Sequence, residues 1–488
     1  MGNGNGKSSE DKKEGEGSRG VVMKAPVQKE PKKLLLDLGK RGSLAEEFLA
    51  LCHDRYIGQP RLVEFGAEAL DDLESFMKSG ERDEDANGVI ASVLVPGPSG
   101  AGKTYIARLI AKVLTGRERG FFFIPGQNYQ ERHAVETLLH PPPGYIGSDN
   151  EPVLTQEKLD EPGFLHLRKK AIEALSTEDK AEHDRLQAEY QEFALKTQSL
   201  RNEVAKTRDQ TRKRELLQEL GELQPKIFKV IKEVEGITPH VIYDPNRFIY
   251  PSVVLGDEFE KGHDSLFKLF LGVLGDGVIV TRKDETVDFH GSIVVLTSNL
   301  CKEEIAQFVA VQSGEVVPMG FHRSVQGVSE QDDTELYRLV RDTAIKVFGP
   351  EFMGRLDELI LARMLMPKEI REILESKLRA YQEHLASRFP IKLEIADEVI
   401  RFFYERSTRK RIEGARLVDK TLKQYLLRPI MKLRLTGQIK RGDHVVVELE
   451  RKGKKHGRPV FYLMDYGDEK PVITVEYKRR RNHKPQGK

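Results

Sequence analysis

Three short runs of consecutive apolar residues stand out from an otherwise mixed chain. They are Val89-Ile90-Ala91-Ser92-Val93-Leu94-Val95, Val253-Val254-Leu255 and Ile293-Val294-Val295-Leu296. Runs this short, apolar at successive positions, predict strands buried on both faces. Helical patterns lie between them. One begins at Ser43, an N-cap ahead of Leu44, Phe48, Leu49 and Leu51, and another runs from Arg61 to Met77. Strands alternating with helices predict an α/β fold with a parallel sheet covered on both faces. From Pro367 to about Thr436 the pattern is helical again. Val445-Val446-Val447, Val460-Phe461-Tyr462 and Val472-Ile473-Thr474-Val475 then read as short strands, which makes the C-terminal part a smaller α+β subdomain.

Residues 158–243 follow a different pattern. They are polar and charged and carry no strand signal. Leu186, Tyr190, Phe193, Leu200 and Val204 fall on a 4-3 spacing with Thr197 in one slot. Leu216, Leu220, Leu223, Ile227, Val230 and Val234 repeat it. The phase breaks across Lys206–Arg214, so two arms of an antiparallel helical hairpin are expected, with one long bent helix as the alternative. Each arm of about 19 residues would reach roughly 28 Å. Pro225 predicts a kink or break in the second arm.

Composition narrows the class. The 488 residues are enough for about three to four folded units. Charged residues reach 32%, yet Lys+Arg (79) and Asp+Glu (77) nearly cancel to a net +2, far from the excess of a nucleic-acid coat protein. Cys52 and Cys301 are the two cysteines, too few for a disulfide framework or a Cys-rich zinc module. No apolar run is long enough to span a membrane, and no apolar signal core opens the chain. Gly at position 6 fails the myristoylation pattern. A cytoplasmic protein is expected. Histidines at HExxH spacing and a nucleophile elbow in strand–helix context are both missing from the sequence, which excludes a peptidase site of those types.

The chemistry concentrates after the first strand. Gly97-Pro98-Ser99-Gly100-Ala101-Gly102-Lys103-Thr104 fits GxxxxGK[ST] and leads into the helical pattern Tyr105–Leu114. Backbone N–H groups around the glycines can turn inward onto phosphates, and the helix N-terminus adds positive potential. Lys103 can reach the β- and γ-phosphates of ATP, and Thr104 can ligate Mg²⁺. The second strand ends in Asp257-Glu258. Behind a phosphate loop, Asp257 is expected to hold Mg²⁺ through water, and Glu258 to orient or deprotonate the attacking water.

With these motifs in order, the chain resembles the AAA+ ATPases of the Clp type, most of all the second ATPase module of the two-ring unfoldases and disaggregases. The resemblance spans about residues 50–157 and 244–450 and rests on further segments. Tyr56-Ile57-Gly58-Gln59 is similar to the stretch lying over the adenine, and Pro142-Pro143-Gly144-Tyr145-Ile146-Gly147 to the pore loop that grips polypeptide. Asp257-Glu258-Phe259-Glu260-Lys261-Gly262-His263 resembles the extended acidic motif, and Leu296-Thr297-Ser298-Asn299 the strand ending in the polar sensor. Pro350-Glu351-Phe352-Met353-Gly354-Arg355-Leu356-Asp357 is similar to the arginine-finger segment, and Gly414-Ala415-Arg416 to the second sensor.

The resemblance implies that Asn299 aligns the lytic water with Glu258, that Arg355 acts in trans on a neighbour's nucleotide, and that Arg416 senses the nucleotide from the small subdomain. It implies a homo-oligomeric ring, a hexamer, that unfolds or remodels protein substrates by threading them past Tyr145 and Ile146. The expected organisation is a disordered tail (1–42), a large subdomain in two parts (43–157 and 244–362), the helical insertion (158–243), a small subdomain (363–477) and a basic tail (478–488).

Departures from the family temper this. Only a short tail precedes the module, so a single-ring form is expected. Gly354 replaces the usual Asn. The insertion separates the pore loop from the acidic motif, which the family keeps close; it is expected either to dock a substrate, an adaptor or another ring, or to be a plain spacer. Met319-Gly320-Phe321 is an off-pattern match to the tripeptide that plugs into a ClpP-type peptidase, and argues against that coupling more than for it. Two rivals remain: a nucleic-acid-associated ATPase using Lys478-Arg479-Arg480-Arg481, and a scaffold that uses ATP as a switch.

Overall fold

The computed structural model describes residues 39–79, 88–139, 152–207, 209–237, 243–244, 248, 250–281, 285–305, 330–409, 413–452 and 455–464. Expectations for the N-terminal tail up to residue 38, Tyr145 and Ile146, Met319-Gly320-Phe321, the strand at 472–475 and the basic tail lie outside the described residues. Gly39 and Lys40 belong to an N-terminal unit; all other described residues belong to the unit that begins at Arg41. Arg41 and Gly42, expected in the tail, are instead tied down. The Arg41 guanidinium pairs with Asp71 at 3.0 Å, and the Gly42 N–H donates to Asp71 at 2.6 Å.

The large subdomain opens with α1 (Ser43–Arg55) and α2 (Pro60–Ser79). Then come β1 (Ala91–Pro96), α3 (Lys103–Thr115), β2 (Phe122–Pro125), α4 (Arg132–Leu139) and α5 (Gln156–Glu173). The hairpin helices α6 (Thr177–Lys206) and α7 (Gln210–Ile237) follow. The chain returns through β3 (Ser252–Asp257), α8 (Asp264–Asp276), β4 (Val278–Val280), β5 (Thr286–Asp288) and β6 (Ser292–Ser298). It closes with α9 (Glu330–Phe348), α10 (Pro350–Arg355) and β7 (Glu358–Leu359).

Five parallel strands make the central sheet in the order β2-β3-β6-β1-β7, and β4 and β5 form a separate antiparallel pair. Side-chain alternation divides the apolar runs between two cores. Val93, Val95, Val253, Leu255, Ile293 and Val295 face α1, α2 and α3, whereas Leu94, Val254, Val294 and Leu296 face Phe267 and Phe270 of α8. Both faces are buried, which is why these strands read as continuous apolar runs. Pro96 lies opposite Ser298, and Ser252 opposite Ser292. The C-terminal ends of β1, β6 and β3 therefore emerge side by side, where an open α/β sheet forms its ligand crevice.

The small subdomain comprises α11 (Pro367–Arg388), β8 (Lys392–Ile395), α12 (Asp397–Thr408), α13 (Ala415–Leu422), α14 (Arg428–Leu435), β9 (His444–Lys452) and β10 (Lys455–Leu463). Its sheet runs β10-β9-β8 over a core that includes Ile370, Leu374, Phe403 and Leu426. The helical reading of 367–436 missed β8, whose polar–apolar alternation (Lys392, Leu393, Glu394, Ile395) runs for only four residues between two longer helical patterns.

The insertion is an antiparallel hairpin. Leu186 packs with Val230 and Val234 near the root, and Leu200 with Leu216 and Leu223 near the tip. Its helices are longer than the heptad arms, with 30 and 28 residues, or about 45 and 42 Å at about 1.5 Å per residue. The break expected at Pro225 does not occur; α7 continues through it. The proline ring presses on the carbonyl four residues earlier. That residue is Gly221, which has open space around it and can let its peptide tilt.

The boundary at 158 also moves, because α5 packs on the body. Gly163 lies so close to β3 that a Cβ there would come within 2.1 Å of the Pro251 carbonyl. Gln156 accepts the Asp288 N–H at 2.6 Å and donates to both oxygens of Asp160 at 3.0 Å. The Tyr243 hydroxyl donates to the same carboxylate at 2.9 Å. Burial pushes Asp160 up to about 6, with the Gln156 and Tyr243 hydrogen bonds opposing. No helix among the described residues is long and apolar enough to cross a membrane.

Candidate active site

The loop from β1 into α3 wraps a cavity of about 580 Å³, within the usual range for a small-molecule site. Two of its glycines are sterically required. Gly97 has φ 151° and Gly100 φ 78°. A Cβ would fall 2.2 Å from the Ala362 carbonyl oxygen at the first and 2.1 Å from the Glu413 carbonyl oxygen at the second. The loop is thus pressed against the chain leading to the small subdomain and against that subdomain itself. The Ala415 N–H, at the start of α13, donates to the Gly100 carbonyl at 3.1 Å.

Lys103 is buried and donates to the carbonyls of Gly97 and Pro98, and at 3.1 Å to Asn299 Oδ1. Burial draws its ammonium down to about 8; Glu260 pulls the other way, and Arg416 adds repulsion. Thr104 Oγ1 donates to Asp257 Oδ1 at 3.0 Å, and the buried Thr297 hydroxyl donates to the same oxygen at 2.5 Å. That hydroxyl also accepts the Glu258 N–H at 3.1 Å. Glu258 sits at φ 51°, in the left-handed region that a non-glycine residue rarely adopts. Its Oε1 accepts from Asn299 Nδ2 at 3.0 Å, and its Oε2 from Lys261 Nζ. The Lys261 hydrogen bond holds the Glu258 carboxyl below the usual carboxylate range, against the effect of burial.

Most of the residues singled out from sequence meet here. Tyr56, Ile57, Ser99, Gly100, Ala101, Gly102, Lys103, Thr104, Asp257, Glu258, Asn299 and Arg416 all line the cavity. The Tyr56 hydroxyl donates to the Gly102 carbonyl at 3.2 Å. Gly97 and Pro98 hold Lys103 through their carbonyls. Arg355 does not line the cavity; its guanidinium donates to the Leu271 carbonyl and, at 3.0 Å, to Glu351.

Two roles were missed from sequence. Thr297 joins Asp257 to Glu258, and Glu260 accepts the Asn299 N–H at 3.1 Å. A buried polar residue closing an apolar strand, and a second carboxylate two residues after the acidic pair, were the available signals. The oxygens of Thr104 and Asp257 suit a hard divalent cation. Among the described residues there is no cluster of three or more His, Cys, Asp or Glu that could hold a metal by itself.

A family model described as "AAA domain (Cdc48 subfamily)" matches residues 89–163 and 192–359. The interval between the two stretches begins within α5 and ends inside the hairpin. A second model, "C-terminal, D2-small domain, of ClpB protein", matches residues 365–447. The chain belongs to the Clp-type AAA+ ATPases. Its likeness is to the second ATPase module of that family.

Among this Clp-type chain's curated relatives are chaperone protein ClpB 1 of Thermosynechococcus vestitus and ClpC/MecB, the negative regulator of genetic competence of Bacillus subtilis. The first is 25% identical over 88% of this chain and 35% of its own length; the second is 24% identical over 82% and 36%. The chain therefore spans about a third of the length of these relatives. A solved structure of Hsp104 with ATPγS and FITC casein, in a closed state, matches with a TM-score of 0.51 at 20% identity, covering 86% of this chain and 51% of the other. That likeness supports the AAA+ fold.

Proposed function

We propose that this chain hydrolyses ATP to remodel protein substrates, working as a homo-oligomeric ring, a hexamer, that threads polypeptide through its centre. The observation that carries the reading is the shared cavity. The phosphate loop, the acidic pair and Asn299 approach it from the large subdomain, and Arg416 from the small one. With the Ala415 N–H bound to the loop at Gly100, a change at the nucleotide becomes a change in small-subdomain position.

In this reading Lys103 and the loop amides bind the phosphates, and Tyr56 and Ile57 flank the base. Mg²⁺ held by Thr104 and Asp257 would neutralise charge building on the phosphates. Glu258, oriented by Asn299, takes the proton of the attacking water. Arg355 is turned away from its own cavity and serves a neighbour's nucleotide; Arg416 reports the nucleotide state. Tyr145 and Ile146 grip the substrate through non-directional apolar contact, and the hairpin docks an adaptor. The sequence similarity to ClpB and ClpC chains supports the remodelling part.

The test is capture in ATP with Glu258→Gln, which slows hydrolysis while ATP stays bound. Trapped polypeptides identified by mass spectrometry, released when Tyr145→Ala is added, are expected. An empty trap, or one indifferent to Tyr145→Ala, overturns threading.

A further inference from the structure

Glu258 is the proton acceptor in the reading above, yet neither of its carboxylate oxygens is free. Asn299 Nδ2 holds Oε1 at 3.0 Å, and Lys261 Nζ holds Oε2 at 2.5 Å. The backbone beneath is immobilised. Its N–H is bound to Thr297, and Gly126 packs so tightly on the Glu258 carbonyl that a Cβ there would come within 2.4 Å of the oxygen. The side chain can therefore change position only by rotating about its own bonds, and its two partners decide whether it does.

Those partners differ. Asn299 directly follows a buried strand, its N–H is held by Glu260, and its side chain also touches Lys103. Lys261 rides on a single 3-10 turn, Phe259–Lys261, with its side chain 44% exposed. Among the described residues Glu258 is its hydrogen-bonded partner. The Asn299 contact is built in, and the Lys261 contact is the one that can open.

We propose that Lys261 is a positioning residue that latches Glu258 in a resting placement, so that hydrolysis requires this contact to open. The inference rests on Glu258 being the base. It assigns Lys261 a restraining part, acting on Glu258 and not on the nucleotide.

The experiment uses the full chain with Lys261→Met, Lys261→Gln and Lys261→Arg, each with and without Glu258→Gln. ATP hydrolysis is measured as kcat and KM, and binding with a slowly hydrolysed ATP analogue. Lys261→Met and Lys261→Gln are expected to raise basal kcat about two- to five-fold, the scale of one partly exposed ion pair. KM and analogue affinity should stay within about two-fold of wild type, since no contact to the nucleotide is proposed. Lys261→Arg should restore the slow rate, and Glu258→Gln should erase the gain. An unchanged or lower kcat in both apolar and amide variants, with analogue binding intact, overturns the latch. Equal hydrolysis by wild type and Glu258→Gln overturns the base assignment instead, and the latch with it.

Discussion

The nucleotide cleft and the helical hairpin are built on opposite plans. In the cleft, polar side chains are held by several elements at once. Asp257 takes hydroxyls from α3 and β6, and Asn299 bridges Lys103 and Glu258 while Glu260 holds its backbone. In the hairpin, apolar side chains such as Leu200 and Leu216 are buried only against the facing helix, while Leu195, Leu217 and Phe228 stay exposed. A cleft of this kind fixes positions at some cost in stability, because buried charges are desolvated. A two-helix arm gains stability in small, local increments and fixes little beyond its own register. The contrast implies that damage to the cleft shows in rate and affinity, and damage to the hairpin in local unfolding.

The largest effect should come from a residue that neither region touches. Arg355→Ala is expected to lower kcat by about 10³-fold or more while leaving analogue binding to each subunit unchanged. Mixing Arg355→Ala with Glu258→Gln subunits should restore part of the activity, since each lesion then spares the other's interface. No recovery on mixing, together with weakened binding, would put Arg355 to work in its own subunit.

Next is the hairpin. Leu216→Ala should cost about 2–5 kcal/mol of local stability, read as faster proteolysis confined to 177–237, with basal hydrolysis retained. A parallel loss of hydrolysis would show that α5 carries the hairpin's state to the sheet, through Gln156, Asp160 and Gly163.

This division also explains what could be read in the sequence. The strands were legible because both faces are apolar, and the phosphate loop because its glycines and Lys103 have few alternatives at that spacing. The hairpin was legible from heptads at Leu186–Val204 and Leu216–Val234. Roles that depend on three-dimensional convergence were not. Thr297 reads as the end of a strand, and only the fold brings its hydroxyl between Asp257 and Glu258. The docking of α5 depends on a missing side chain at Gly163 and a buried acid at Asp160, which look like ordinary helix-surface residues. The continuity of α7 through Pro225 could not be read from the proline alone, since helices of this fold run through both Pro162 and Pro225.

A smaller effect should come from Lys103→Met. The loss of a charged donor to phosphate is expected to weaken ATP binding about 10- to 100-fold, measured by titration calorimetry. Its thermal midpoint should be unchanged or higher, because the substitution removes a buried ammonium whose pKa burial has already drawn down to about 8. A large drop in melting temperature would make Lys103 a structural residue and erase the contrast with the hairpin.

The smallest effect tests a place where a charge does contribute stability. Glu74 of α2 is buried and accepts from the Leu44 N–H and the Ser43 hydroxyl at the start of α1, and from Lys78. Burial alone would raise its pKa, but these bonds hold it at about 2, below the ordinary 4.5. A depressed carboxylate stabilises the fold fully above its unfolded pKa and stops doing so as pH falls through its folded one. Denaturant titrations should therefore show the α1–α2 region losing on the order of 1 kcal/mol between pH 4.5 and 2. Glu74→Gln should flatten that limb and leave the stability at pH 7 lower by a similar amount. A limb as steep in Glu74→Gln as in wild type would assign the acid sensitivity to other carboxylates.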